Sequence, residues 1–421
     1  MFKHSLKIAA AAALSAALCM NAALPVAAAE TKTAAITKIL QMGEGVTTPA
    51  VTFTFEFTPS DEDNAANFSV PAIADKTAVF AADTAAVTED GIKSAIVETP
   101  SIFDGVEWPH AGLFTYYVTE KQSVIGTLTE QETVTYSQAK YKVTAFVANG
   151  ADGLYVAWVA AEVTVTDGEE GTDADGKIDA TPGGDPSVSG DYSKMAFTNK
   201  YVKNTGTGDP ADYTLAISKT VDTAEKIEYD VANREMYFDF LVTVTKSGAN
   251  PDNAQKYAVF IMDGGGNVVT AKENFAGTIL TDDKFGAFFE ITQGEAATIS
   301  LKHGQWMSFT NLEVGASYTV TETARENFTP AFSRVINGGT PAKETGSANT
   351  ALTVPKTAIT EGDDRADFTN TFAVMTPVGV SLDDLPFIML IGLEAAILIG
   401  FIAYKLSRRK EDKDAEGGLI Q

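Results

Sequence analysis

The sequence predicts an all-β protein: two tandem β-sandwich domains followed by a C-terminal transmembrane helix. Three observations carry this. Short stretches alternate Thr or another polar residue with Phe, Tyr, Val and Ile; one order of landmarks occurs twice; and a single apolar run near the end is followed by a basic cluster. Alternation of period two, rich in β-branched and aromatic residues, marks half-buried strands. It is clear at residues 51–57 (VTFTFEF), 114–118, 141–147 and 238–244. Outside the apolar run no long stretch has amphipathic helical spacing. Many short strands with Gly, Pro and Asp turns make sandwiches.

The elements follow in chain order. Lys3 and Lys7 precede an apolar stretch at 8–18, and Ala27, Ala28 and Ala29 form a small-residue cleavage site, so residues 1–29 read as a secretory signal peptide. A lipid-attachment signal at Cys19 is the alternative, opposed by the bulky Leu18 before it. Residues 30–201 form the first predicted domain, and 202–212, rich in Gly, Asp, Pro and Thr, a linker. Residues 213–372 form the second domain and 373–385 a candidate sorting region. Residues 386–404 are apolar apart from Glu394, near the lower length limit for a membrane span. In the tail, 405–421, Lys405, Arg408, Arg409 and Lys410 mark the cytoplasmic side.

The repeated landmarks are specific. Each half opens with a strand carrying a lysine, ITKIL at 36–40 and AISKTV at 216–221. Each has a later strand ending in glutamate, YYVTE at 116–120 and YTVTE at 318–322, and closes with FTNKY at 197–201 or FTNTF at 368–372. A repeat of about 170 residues exceeds solenoid periods and means tandem domains. Residues two apart on a strand share a face. Lys38 is therefore in phase with Ile36 and Leu40, Glu120 with Tyr116 and Val118, and Asn199 with Phe197 and Tyr201. Lys219, Glu322 and Asn370 repeat the pattern, whereas Glu56, Asp239 and Lys200 take the polar phase.

Burying Lys and Glu is costly and needs a reason. Desolvation favours a neutral amine and a protonated carboxyl. Such an amine can attack the Asn carboxamide and expel ammonia while the glutamic acid shuttles the proton, leaving an isopeptide bond. The bland alternative is a buried Lys–Glu ion pair beside an Asn, kept for structure. Two triplets in one order and phase, with Cys19 the only cysteine, favour the bond. Each domain would react once, on itself, so this is maturation and not enzymatic turnover.

FTNKY, FTNTF, YTVTE and residues 299–322 resemble the intramolecular-isopeptide domains of Gram-positive pilins and surface adhesins. Over nearly all its exported length the chain looks like a streptococcal-type pilus backbone subunit. The second half matches more closely, and the first has a longer, variable middle at 60–108. The resemblance implies an immunoglobulin-like (Greek-key) sandwich in each half. It also implies one site at Lys38, Glu120 and Asn199 and a second at Lys219, Glu322 and Asn370. Before the anchor, Thr376, Pro377, Val378 and Gly379 look like a sortase signal, with Val378 where the Val-Pro-Thr-Gly variant has threonine. An uncut membrane anchor is the alternative. Residues 201–203 (Tyr-Val-Lys) resemble the Tyr-Pro-Lys acceptor element of some pilins, which makes Lys203 an acceptor candidate or ordinary surface.

The partners so implied are sortase, other pilin subunits or cell-wall peptidoglycan, and the membrane. The expected place is the cell wall or surface of a Gram-positive bacterium. A monomeric anchored adhesin, binding a host or microbial ligand through 60–108, is the other reading. Nucleic acid is excluded by 56 Asp+Glu against 31 Lys+Arg, a net charge of −25. A secreted enzyme lacks a nucleophile–His or metal constellation, and no cofactor is implied. In the acidic stretch 167–191, Asp173, Asp175, Gly176 and Ile178 match an EF-hand loop, but Gly171 and Pro182 fall at ligating positions, so a solvated loop is expected. Residues 263–267 (DGGGN) are expected to turn a hairpin, and Trp108, Trp158 and Trp306 to be core aromatics.

Overall fold

A computed structural model describes residues 30–65, 68–167, 176–183, 191–222, 233–372 and 385–416. The signal-peptide expectation and the sorting residues Thr376, Pro377, Val378 and Gly379 lie outside the described residues. The alternating stretches fold as strands in two domains. In the first, one sheet runs Ala86–Glu89, Ile92–Glu98, Thr37–Gly43, Ala196–Lys203, Glu132–Thr135. The facing sheet runs Gly176–Ile178, Gly153–Val165, Lys140–Gly150, Gly112–Ile125, Val51–Pro59, Lys76–Phe80. The large sheet of the second domain runs Leu280–Asp282, Gly286–Thr292, Lys256–Met262, Trp306–Phe309, Leu215–Asp222, Asp364–Phe372, Phe328–Val335, Ala342–Thr345. The smaller one runs Ala296–Leu301, Phe238–Thr245, Ser317–Glu322, Leu352–Ala358.

Alternate residues of facing sheets close one core per domain. Leu40, Phe53, Phe55, Tyr116, Val143 and Phe197 fill the first, and Ile217, Phe240, Val242, Phe309, Val320 and Phe368 the second. The opening and closing strands of each domain lie side by side and parallel. Lys38 pairs with Phe197 and Leu40 with Asn199; Lys219 pairs with Phe368 and Val221 with Asn370. Parallel neighbours cannot be joined by a hairpin. A domain bounded by two parallel strands therefore receives the chain at one pole and releases it at the other.

The expected phase holds at both triplets, and Glu56 and Asp239 are exposed. Thr37 breaks the alternation: it is buried because its hydroxyl donates to Ser193 O at 2.7 Å. Residues 263–267 form the expected turn, with Asp263 Oδ1 accepting from Gly265 N and Asn267 N. One expectation is corrected. Trp108 packs against the first core and Trp306 is half-buried, but Trp158 is 53% exposed. A bulge between Val156 and Trp158, opposite Val147 and Phe146, inserts an extra residue and turns Trp158 to the outer face.

The domains meet end to end. Val314 of the second domain packs into the first core, and its N–H donates to Lys203 O at 2.9 Å. Gly43 and Gly315 let the backbones touch: a Cβ on Gly43 would lie 2.2 Å from Val314 O. Beyond the sandwiches, Leu385–Glu416 is a helix containing an 18-residue window, Met389–Leu406, of mean hydropathy 1.9, long and apolar enough to cross a membrane.

Two buried lysine–carboxyl–carboxamide sites

In each domain the lysine and asparagine stand on the adjacent opening and closing strands, two residues apart in register and on the same face. The glutamate comes from the facing sheet. Glu120 lies opposite Phe55 in its own sheet, and Glu322 opposite Phe240. The structure thus brings together the six residues predicted to form two sites, and both lysine–glutamate pairs are sealed from water at their side chains.

In the first site Lys38 Nζ donates to Glu120 Oε2 at 2.9 Å, and Asn199 Nδ2 donates to Glu120 Oε1 at 2.8 Å. The Phe53 ring lies 4.8 Å from Nζ. In the second, one oxygen does both tasks: Glu322 Oε1 accepts from Lys219 Nζ at 2.6 Å and from Asn370 Nδ2 at 2.7 Å. Phe238 and Phe240 wall Nζ at 4.2 and 5.8 Å. Burial pulls both lysine ammonium groups down to about 8, against the opposing attraction of their glutamates. Burial likewise pushes the Glu120 and Glu322 carboxyls above their ordinary range. Both shifts favour moving the proton from amine to carboxyl. Each glutamate touches the lysine amine and the asparagine amide nitrogen at once, the contacts a proton shuttle between them would need.

Sequence reasoning missed one member of the first site. Asn199 Oδ1 accepts from the backbone N–H of Ser137 at 2.7 Å. No residue type announces a backbone donor, so sequence carried no signal for it. The second site has no equivalent: among the described residues, Asn370 Oδ1 and Glu322 Oε2 have no hydrogen-bond partner. Lys203 lies apart from both sites, its Nζ 3.0 Å from Glu361 Oε1 at the domain junction. Among the described residues no group of His, Cys, Asp and Glu is placed to hold a metal ion.

The family described as the Spy0128-like isopeptide containing domain matches residues 34–202, and a domain of unknown function matches 213–372. No curated protein matches the chain. Among solved structures, the major pilin of Streptococcus pyogenes is similar at 17% identity, covering 82% of this chain and 99% of its own, with a TM-score of 0.32. The T3.2 major pilin of a second S. pyogenes serotype is similar at 18% identity, covering 81% and 99%, with a TM-score of 0.29. A pilus-presented adhesin is similar at 12% identity, covering 81% and 100%, with a TM-score of 0.24. These scores are low, and the fold described above stands on its own strand pairing. The stretch similar to the Spy0128-like isopeptide containing domain, residues 34–202, takes in Lys38, Glu120 and Asn199, and the domain of unknown function takes in Lys219, Glu322 and Asn370.

Proposed function

We propose that this chain is a structural subunit of a pilus or fimbrial shaft, exported to the surface of a Gram-positive cell and self-crosslinked once in each domain. Lys38 joins Asn199 with Glu120 as proton shuttle, and Lys219 joins Asn370 with Glu322. The observation that carries this reading is the pair of water-free triads at one register offset on parallel opening and closing strands. A bond there ties the entry of each domain to its exit. Tension applied through the chain then crosses a covalent link, and the residues between are shielded. Closing a loop of about 160 residues contributes on the order of 5 kcal/mol in the chain-entropy model. The bond thus does a disulfide's work in a chain whose only cysteine is Cys19.

The helix Leu385–Glu416 holds the chain in the membrane until sortase cuts after Val378, within Thr376–Gly379, and passes the new acyl end to another pilin subunit or to peptidoglycan. Lys203, held by Glu361, is read as ordinary junction surface, with a role as acceptor on the next subunit the alternative. The protein is not an enzyme in the turnover sense and needs no cofactor. Intact-mass measurement of the full-length chain tests the chemistry: two bonds remove two ammonia molecules, and an unshifted mass refutes them. Boiled denaturing gels of cell-wall extracts test the assembly. A ladder of covalent multimers is expected; a single band would make the chain a monomeric wall-anchored adhesin.

A further inference from the structure

When an amine adds to the Asn199 carboxamide, negative charge builds on Oδ1. The Ser137 N–H already points at that atom from 2.7 Å, the range of working oxyanion donors. Ser137 is itself buried in the segment between Glu132–Thr135 and Lys140–Gly150. That segment is gripped by one carboxylate. Asp167 Oδ1 accepts from Ser137 Oγ at 2.6 Å, Gln138 N at 2.9 Å and Ala139 N at 3.0 Å. Asp167 Oδ2 accepts from Thr198 N at 2.8 Å, on the residue before Asn199. A single side chain therefore clasps the segment that carries the donor to the strand that carries the acceptor. Asp167 opens the acidic stretch expected to be a solvated loop and makes this clasp; residues 168–175 and 184–190 of that stretch lie outside the described residues.

We propose that the Ser137 N–H is the oxyanion donor of the first site and that Asp167 is the positioning residue that aims it. This rests on the isopeptide reading above and deepens it. Lys38 Nζ adds to Asn199 Cγ, and the carbonyl π pair moves onto Oδ1, where Ser137 N–H receives it. Glu120 gives its proton to Nδ2 and takes one from Nζ. The oxyanion collapses, the Cγ–Nδ2 bond breaks and ammonia leaves. Amine and carboxamide become secondary amide and ammonia, and the carboxyl ends as it began.

The test times both bonds in one molecule. Full-length chain is made by cell-free synthesis with nanodiscs, quenched at intervals and digested, and the branched peptides Lys38–Asn199 and Lys219–Asn370 are counted by mass spectrometry. Replacing the Ser137 peptide amide with a backbone ester deletes the N–H and leaves the side chain and the Asp167 clasp. The first bond is expected to form about 100- to 1,000-fold more slowly, with the second unchanged as internal clock. Asp167→Asn puts an NH2 group against the clasp's donors and is expected to slow the first bond as well. Should the ester unfold the domain, this variant carries the test. A purely structural Asp167 would lower the melting temperature and leave the first bond's rate in folded molecules unmoved. A wild-type rate for the first bond in either folded variant overturns the proposal. Absence of the Lys38–Asn199 peptide from the wild-type chain is a different failure, that of the isopeptide reading itself.

Discussion

The two sites hold the same three residue types on the same strands at the same offset, yet they are not equally finished. In the first, each polar contact has a separate partner: Nζ meets Oε2, Nδ2 meets Oε1, and Oδ1 meets the Ser137 N–H. In the second, Glu322 Oε1 serves both nitrogens, while Oε2 and Asn370 Oδ1 are buried without a donor among the described residues. A buried acceptor left unpaired costs about 1–3 kcal/mol. On the isopeptide reading proposed above, the difference separates what the chemistry would require from what would improve it. A desolvated amine and a carboxyl touching both nitrogens are common to both sites; a fixed donor on the carbonyl oxygen belongs to one.

The largest effects test the shared part. Glu120→Ala is expected to abolish the first bond and leave the second, and Glu322→Ala the reverse, each restoring one ammonia to the intact mass. Each variant also forfeits a loop-closing link worth about 5 kcal/mol, read as the loss of stability of one domain's transition in calorimetry. A variant that still loses ammonia at its own site breaks the common mechanism. The next effect sharpens the difference between the sites. Asn199→Ala and Asn370→Ala both remove a bond across a loop of similar length, but only Asn199→Ala strands a donor, the Ser137 N–H. The first domain should therefore lose roughly 1–3 kcal/mol more than the second in denaturant melts. Equal losses would mean that the Ser137 contact has no energetic weight.

The triads were legible in the sequence because a strand's period of two converts residue number into facing: Lys38, Glu120 and Asn199 could be placed inside without knowing which strands met. The clasp was not legible. Ser137 acts through its backbone, and Asp167 reaches it only after two segments are brought together by the sandwich. Neither was the middle of the first domain. Ile92–Glu98 pairs with the opening strand, yet only Ala95 within it is fully buried, so it shows no alternation to read. Trp158 misled for a related reason: Gly153–Val165 is apolar on both faces, and a bulge decides which residues turn inward.

Acidity distinguishes a shared proton from a simple amine at both sites. The reactive pair, neutral lysine with glutamic acid, carries as many protons as the ion pair it comes from. Its population is therefore level between the two titrations of the coupled groups. As pH falls through the raised carboxyl range the pair gains a proton and the amine stays charged. As pH rises past about 8, where burial has brought Lys38 and Lys219, the pair loses its last proton and the shuttle is empty. Bond formation should pass through a maximum and decline on the alkaline side by about tenfold per pH unit, measured by timed branched-peptide counts. Rates that climb steadily into the ordinary lysine range would show that the glutamate protons are not used.

The smallest effect concerns the junction between the domains. Lys203 has its Nζ on Glu361, whose carboxylate also accepts from Thr47 N at 3.0 Å, so the side chain is engaged across the joint. With roughly a third of each side chain exposed, such a pair contributes about 0–1 kcal/mol. Lys203→Arg retains the charge and the reach to Glu361 while removing the primary amine that a sortase acyl group would need. Both isopeptide bonds should form as in the wild type, and the melting transitions should stay within that small range. The multimer ladder should persist, because an amine occupied by Glu361 is poorly presented to a neighbouring subunit's acyl end. Loss of the ladder with both bonds intact would identify Lys203 as the acceptor and make the domain junction the place where subunits join.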